Sequence, residues 1–296
     1  MTSTKRVAVV TGSNKGIGFA VVRGLCKSYD GDVCLTARDE GRGQAAVADL
    51  NKEGLRPKFH QLDINDQSSV ERLKSFLQTT YGGLDVLVNN AGIAYRNADP
   101  APFAEQAEFT CKTNFWATLE SSRILFPLLR PHARVVNVSS VLAHRAISQC
   151  SPAVQGRFRD PALTMDGLEK IMQEFVDAAK AGKHREQGFP SSAYGASKIG
   201  KNIMTIIQDR DMRNDPREDI VINAITDSNG SGLPQGPVSL SPNGSAHLGK
   251  LPRPSFFSSS FLPFNTSRDR ENCKDDVGEQ PYPFVLLISQ CCSEKP

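Results

Sequence analysis

Apolar positions fall into short continuous runs that alternate with longer amphipathic stretches. Val7-Ala8-Val9-Val10 reads as a buried strand, and residues 17–27 then repeat apolar positions at helical spacing. The same alternation predicts strands at 32–37, 58–62, 84–88, 134–138 and 220–224. It predicts helices at 43–51, 68–81, about 105–129 and 194–212. Strands that are apolar throughout, with a helix between each pair, point to parallel βαβ units covered on both faces. Right-handed crossovers turn such units into a Rossmann-like, doubly wound α/β sheet.

Two segments break this rhythm. Residues 141–190 form an insert with one good amphipathic helix, about 165–181, flanked by irregular sequence. From residue 227 to 296 the chain is rich in Ser, Pro, Gly and Asn over its first forty residues and keeps no period. That composition predicts a poorly ordered tail. Within it, only Phe284-Val285-Leu286-Leu287-Ile288 has the character of a strand. The division expected is therefore a Rossmann-like domain over 1–226 and an atypical tail over 227–296, with the usual final strand and helices of such a sheet missing. An edge left open in this way would lower stability and invite aggregation.

Composition adds exclusions. Thirty-five basic residues face 32 acidic ones, a net charge of +3 with the signs interspersed, so no basic block suggests nucleic acid. No apolar run reaches membrane-spanning length, and the N-terminal run is too short for a secretory signal. Seven scattered cysteines form no C-x-x-C pair, which predicts neither a disulfide framework nor a metal centre. A reducing, cytoplasmic location is expected.

The candidate chemistry sits at strand ends. Thr11-Gly12-Ser13-Asn14-Lys15-Gly16-Ile17-Gly18 lies between the first strand and first helix. Glycines there let a pyrophosphate approach the backbone at a helix N-terminus. The second strand ends in Arg38, and with Lys15 it offers two cations to a ribose 2′-phosphate; a surface pair between Arg38 and Asp39 is the alternative. Asn89-Asn90-Ala91-Gly92 and Val138-Ser139-Ser140 close the fourth and fifth strands at the edge where ligands bind in this architecture. The first is equally compatible with a plain turn, and the serines with a cap or loop. Tyr194 and Lys198 stand four apart, on one helix face, where an ammonium would stabilise a phenolate and make the phenol a usable proton donor. Alone, such a pair is common on exposed helices.

Together, Thr11-Gly12-x-x-x-Gly16-x-Gly18, Asn89-Asn90-Ala91-Gly92, Asn114, Ser140 and Tyr194-x-x-x-Lys198 resemble the short-chain dehydrogenase/reductases, over roughly residues 5–224. Within them the long insert between Ser140 and Tyr194 and the local matches around Asn14-Lys15, Leu35-Thr36-Ala37-Arg38 and Pro190-Ser191-Ser192 resemble the cytosolic NADPH-dependent carbonyl reductases. The resemblance implies NADPH as cofactor, with Tyr194 as general acid, Lys198 as its electrostatic partner and a holder of the nicotinamide ribose, Ser140 polarising the substrate carbonyl, and Asn114 holding a water in a proton relay. It implies that Gly12, Asn14, Lys15, Gly16, Ile17, Gly18, Arg38, Asp63, Ile64, Asn90, Ala91 and Gly92 line the cofactor site, with Asp63 at the adenine edge and Asn90 at the adjoining ribose. Substrates implied are quinones, ketones, aldehydes, prostaglandins and glutathione adducts, and the insert implies a monomer. After the sixth strand the family pattern fails: its Pro-Gly pair and threonine-bearing loop are replaced by Asn223-Ala224-Ile225-Thr226-Asp227. The alternative reading is thus a weakly active or inactive isoform that binds NADPH without efficient turnover.

Overall fold

The computed structural model describes residues 5–96 and 98–226. The readings made for 227–296, including the strand at 284–288, lie outside the described residues. Six strands form one parallel sheet in the order β3-β2-β1-β4-β5-β6. They are β1 (Val7–Val10), β2 (Asp32–Ala37), β3 (Lys58–Gln61), β4 (Leu84–Asn89), β5 (Leu129–Val138) and β6 (Val221–Ile225). The order reverses between β1 and β4, which opens a crevice at the carboxyl ends of those two strands.

Helices α1 (Gly16–Ser28), α2 (Glu40–Lys52) and α3 (Gln67–Thr80) follow the first three strands. The sheet separates two apolar clusters, one including Val7, Val9, Leu73, Leu77, Leu87 and Leu125, the other Ala8, Val10, Val21, Val22, Leu25 and Val88. Alternate residues of β1 enter opposite clusters, as the period of a strand requires. Asp39 caps α2 by accepting the Arg42 N–H at 2.8 Å, so that helix begins three residues before the apolar pattern suggested.

The long helix expected near 105–129 is α4 (Phe103–Cys111), a π-helical turn at Lys112–Trp116 and α5 (Ala117–Leu125), closed by a 3-10 turn at Phe126–Leu128. β5 then starts at Leu129, five residues earlier than read, with a register irregularity between Leu84 and Val86 of its partner. The insert also holds more helix than its sequence suggested. α6 (Leu142–Ser148) and α7 (Pro152–Phe158) precede α8 (Met165–Lys180), and α9 (Ala193–Met212) follows. The start of α7 is dictated locally: Ser151 accepts the Val154 N–H and Pro152 occupies the first turn. α8 turns Leu168, Ile171, Met172, Phe175 and Val176 inward and packs on α4 and α9. Gly200 makes this approach possible, because a Cβ there would meet the Met172 sulfur at 2.8 Å.

Candidate active site

The glycine turn is built for close approach. Gly12 has φ +60° and Gly16 φ +59°, in the left-handed region that favours glycine. A Cβ on Gly12 would lie 2.9 Å from the Ala91 Cα, and one on Gly18 would lie 2.4 Å from the Asn90 side chain. No side chain caps the N-terminus of α1, and its first turn holds no acidic residue. Its leading N–H groups and dipole therefore suit an anion.

Two residues that the sequence reading passed over hold this turn in place. The Thr11 hydroxyl accepts the backbone N–H groups of Asn90 and Ala91 at 3.0 and 2.9 Å. The buried Ser13 hydroxyl accepts the Thr36 N–H at 3.0 Å and donates to the Val10 carbonyl at 2.7 Å. Asn90 returns the favour, donating its side-chain amide to the carbonyls of Thr11 and Gly12. The loops after β1 and β4 and the end of β2 are thus one hydrogen-bonded unit.

Lys15 and Arg38 are exposed beside the turn. Asp39 is occupied as the α2 cap, so the surface Arg38–Asp39 pair considered from sequence gives way to a capping role. A third cation joins them. Arg42, in the first turn of α2, lines a surface hollow with Asn14, Lys15 and Phe19. Nothing local in the sequence marked Arg42, because its place beside Lys15 depends on where α2 begins. Asp63, after β3, accepts the Asn65 N–H at 2.9 Å and is half-buried. Ile64 is core: its side chain packs in the cluster around Leu73 and Leu77, leaving only its backbone for a ligand.

On the other side of the crevice, Ser192 caps α9 and sets Tyr194 in its first turn. Gly195 lets α6 lie against that turn, since a Cβ would meet the Ala146 Cβ at 2.6 Å. α6 follows directly from Ser140, whose hydroxyl accepts the Leu142 N–H at 3.2 Å. Lys198, only 4% exposed, donates from Nζ to the Val138 carbonyl at 2.8 Å. That bond fixes the ammonium 5.4 Å from the centroid of the Tyr194 ring. The neighbouring Ser139 hydroxyl is buried without a hydrogen-bond partner among the described residues.

Asn114 stands in the π-helical turn, a form often found at functional sites. Its side chain accepts the Ile93 N–H at 2.8 Å and donates to the Ile93 carbonyl at 2.9 Å and the Ser197 hydroxyl at 3.0 Å. It ties the loop after β4 to the helix that carries Tyr194 and Lys198. A relay water on Asn114 would therefore have to meet its backbone, because the side chain is committed.

This arrangement fits a dinucleotide. The glycine cradle would be filled by any Cβ at Gly12 or Gly18, and three cations stand at one end of it. A proton donor with a fixed ammonium stands at the other. Among the described residues no cluster of His, Cys, Asp or Glu suits a metal, and no helix is long and apolar enough to cross a membrane.

The family described as short chain dehydrogenase matches residues 6–152 of this chain. Carbonyl reductase [NADPH] 1 of Homo sapiens is 52% identical over 225 residues, spanning 76% of this chain and 81% of the relative. Carbonyl reductase [NADPH] 3 of Rattus norvegicus is likewise 52% identical over the same shares. Among solved structures, salutaridine reductase from Papaver somniferum is similar with a TM-score of 0.67 at 28% identity, over 74% of this chain and 85% of that one. Menthone neomenthol reductase from Mentha piperita gives 0.65 at 31% identity, over 75% and 89%.

Proposed function

The chain belongs to the short-chain dehydrogenase family, and from that premise we propose that it is an NADPH-dependent carbonyl reductase. The observation that carries this reading is the Lys198 ammonium, fixed on the β5 terminus beside the Tyr194 ring, in a sheet whose first strand ends in the glycine turn. Arg38, Lys15 and Arg42 would hold the 2′-phosphate of NADPH, and the N-terminus of α1 its pyrophosphate. The bound cofactor supplies the hydride.

The chain's own residues handle the proton and the oxygen. Ser140 donates a hydrogen bond to the substrate carbonyl. Tyr194 gives its phenolic proton to the oxygen as negative charge develops there, and Lys198 stabilises the phenolate left behind. Asn114 acts as a positioning residue, keeping the β4 loop and α9 in register. The inactive-isoform reading gains nothing from the relatives, which are named as reductases.

The substrates we infer are small carbonyl compounds, quinones and ketones first; aldehydes, prostaglandins and glutathione adducts rest on the resemblance alone. The monomer reading is supported by α8, which packs on α4 and α9 and covers surface there. A cytoplasmic location is in keeping with buried, unpaired thiols at Cys34, Cys111 and Cys150. We retain the domain boundary at residue 226. The test is steady-state reduction of a simple quinone with NADPH and with NADH. Turnover that prefers NADPH and vanishes in Tyr194→Phe supports the reading; tight NADPH binding without turnover in the native chain overturns it.

A further inference from the structure

α9 carries a second lysine that the proposed chemistry does not use. Lys201 is fully buried, and its Nζ has no hydrogen-bond partner among the described residues. It lies one turn beyond Lys198 and one turn before Thr205, on the same helix face. Both neighbours on that face reach β5. Lys198 donates to the Val138 carbonyl, and the Thr205 hydroxyl accepts from the Asn137 amide at 2.9 Å. Lys201 thus lies on that face between two of the contacts that hold α9 to β5.

The surroundings offer polarity and no counter-charge. Asn137 also bonds Asn89 at 2.9 Å, which bonds the Ser122 hydroxyl of α5 at 3.3 Å. Among the described residues the buried charged side chains are Lys198, Lys201 and Asp85, and Asp85 is engaged at the far end of β4 with Val7 and Arg130. The acids on the helices packed against α9 point outward: Glu108 of α4 pairs with Lys180, and Glu169 and Glu174 of α8 pair with arginines. On α6 the charged groups are His144, whose burial lowers its pKa, and the exposed Arg145. β6 contributes no charged side chain.

We propose that Lys201 is a proton sensor beneath the active site: taking up a proton sets a second ammonium beside Lys198 in a stripe without a carboxylate, and loosens α9 from β5. Burial first, and the Lys198 charge second, push its pKa well below the ordinary lysine value. The folded chain therefore carries a neutral amine where the unfolded chain carries a charged one. Between the folded value and about 10.4, the unfolded state holds the extra proton, so stability rises with pH. The consequence for NADPH binding rests on the reductase reading; the consequence for stability does not.

Urea unfolding of the full chain, with Lys201→Met and Lys201→Gln, tests both. As pH falls from about 10, the native chain's unfolding constant should grow relative to either variant, by up to about tenfold per pH unit until the folded value is reached, the signature of one linked proton. Parallel curves overturn the proposal. As pH is lowered through the point at which that difference levels off, NADPH affinity by fluorescence and amide exchange in 193–205 should deteriorate at least tenfold more in the native chain than in the variants. Titration of the NADPH phosphate is common to all three and cancels. Equal deterioration overturns the sensor. If none of the three binds NADPH, the reductase reading falls, and the unfolding slopes and amide exchange still decide Lys201.

Discussion

The two rims of the sheet are made of the same kinds of residue and treat them oppositely. At the rim where the strands begin, polar groups satisfy one another. The Asp85 carboxylate accepts the Val7 N–H at 2.8 Å and pairs with Arg130 at 2.9 Å. Arg217 donates to the carbonyls of Phe126 and Leu129 and pairs with Asp215. At the rim where the strands end, Lys15 and Arg38 stand exposed, the α1 N-terminus has no side-chain cap and the Ser139 hydroxyl has no partner among the described residues. Charges that are closed on themselves contribute to holding the fold. Charges and N–H groups left open, on glycines in left-handed conformations, are available to a ligand. Substitutions should separate the two: stability should respond at the first rim and chemistry at the second.

The largest effect belongs to the open rim. Tyr194→Phe should lower quinone turnover by about 10²–10⁴-fold, the usual worth of a positioned general acid. Its melting temperature should stay close to that of the native chain, since the phenol ring is retained. A large drop in melting temperature with turnover intact would break the comparison. At the closed rim, Asp85→Ala leaves the Val7 N–H without its acceptor and the Arg130 guanidinium without its carboxylate, with only the Tyr81 and Lys5 carbonyls left to it, in a site only 8% exposed. A loss of about 3–5 kcal/mol in urea unfolding is expected, with turnover per folded molecule unchanged.

Arg38→Ala sharpens the comparison within the open rim. Removing one charge-assisted hydrogen bond of about 1.5–3 kcal/mol should raise the KM for NADPH about 10- to 100-fold and leave that for NADH unaltered. The double variant with Arg42→Ala should go further. If Arg42→Ala alone changes nothing, the hollow beside Lys15 is not part of the cofactor site.

Local sequence reveals the closed elements of this fold better than its long-range ties. The inner strands were visible because burial on both faces leaves apolar runs, as in Val7–Val10, whereas the edge strand Lys58–Gln61 is polar and only partly buried. Tyr194 and Lys198 were visible because a single helix turn relates them. The α7 start carried its Ser-Pro signal, yet the run behind it, Pro152–Phe158, is too short to show a period. The early half of β5 looked like a loop because it contains Pro131 and His132, the latter at φ +64°. Asn114 bonds Ser197 across 83 residues of sequence, and nothing local marks that partner. Lys201 is the extreme case. Its spacing is that of any helical lysine, and only the packing of α9 on β5 makes it unusual.

The smallest expected effect lies back at the closed rim and concerns acid. Hydrogen bonds from the Arg217 side chain and backbone hold the Asp215 carboxyl down from 3.8 to about 2. A depressed carboxylate adds stability that is complete above the unfolded value and is lost as pH falls through the folded one. The window is therefore about pH 4 to pH 2. Solvent screens so shallow a pair, so the loss should be about 1 kcal/mol or less. Asp215→Asn should flatten the acid limb of stability in that window without moving the alkaline side, where the linked proton of Lys201 acts. Acid unfolding followed by circular dichroism reads the difference. If Asp215→Asn leaves the limb unchanged, the closed rim draws its strength from Asp85 and Arg130, and the Arg217 contacts to Phe126 and Leu129 hold the α9–β6 connection through its guanidinium alone.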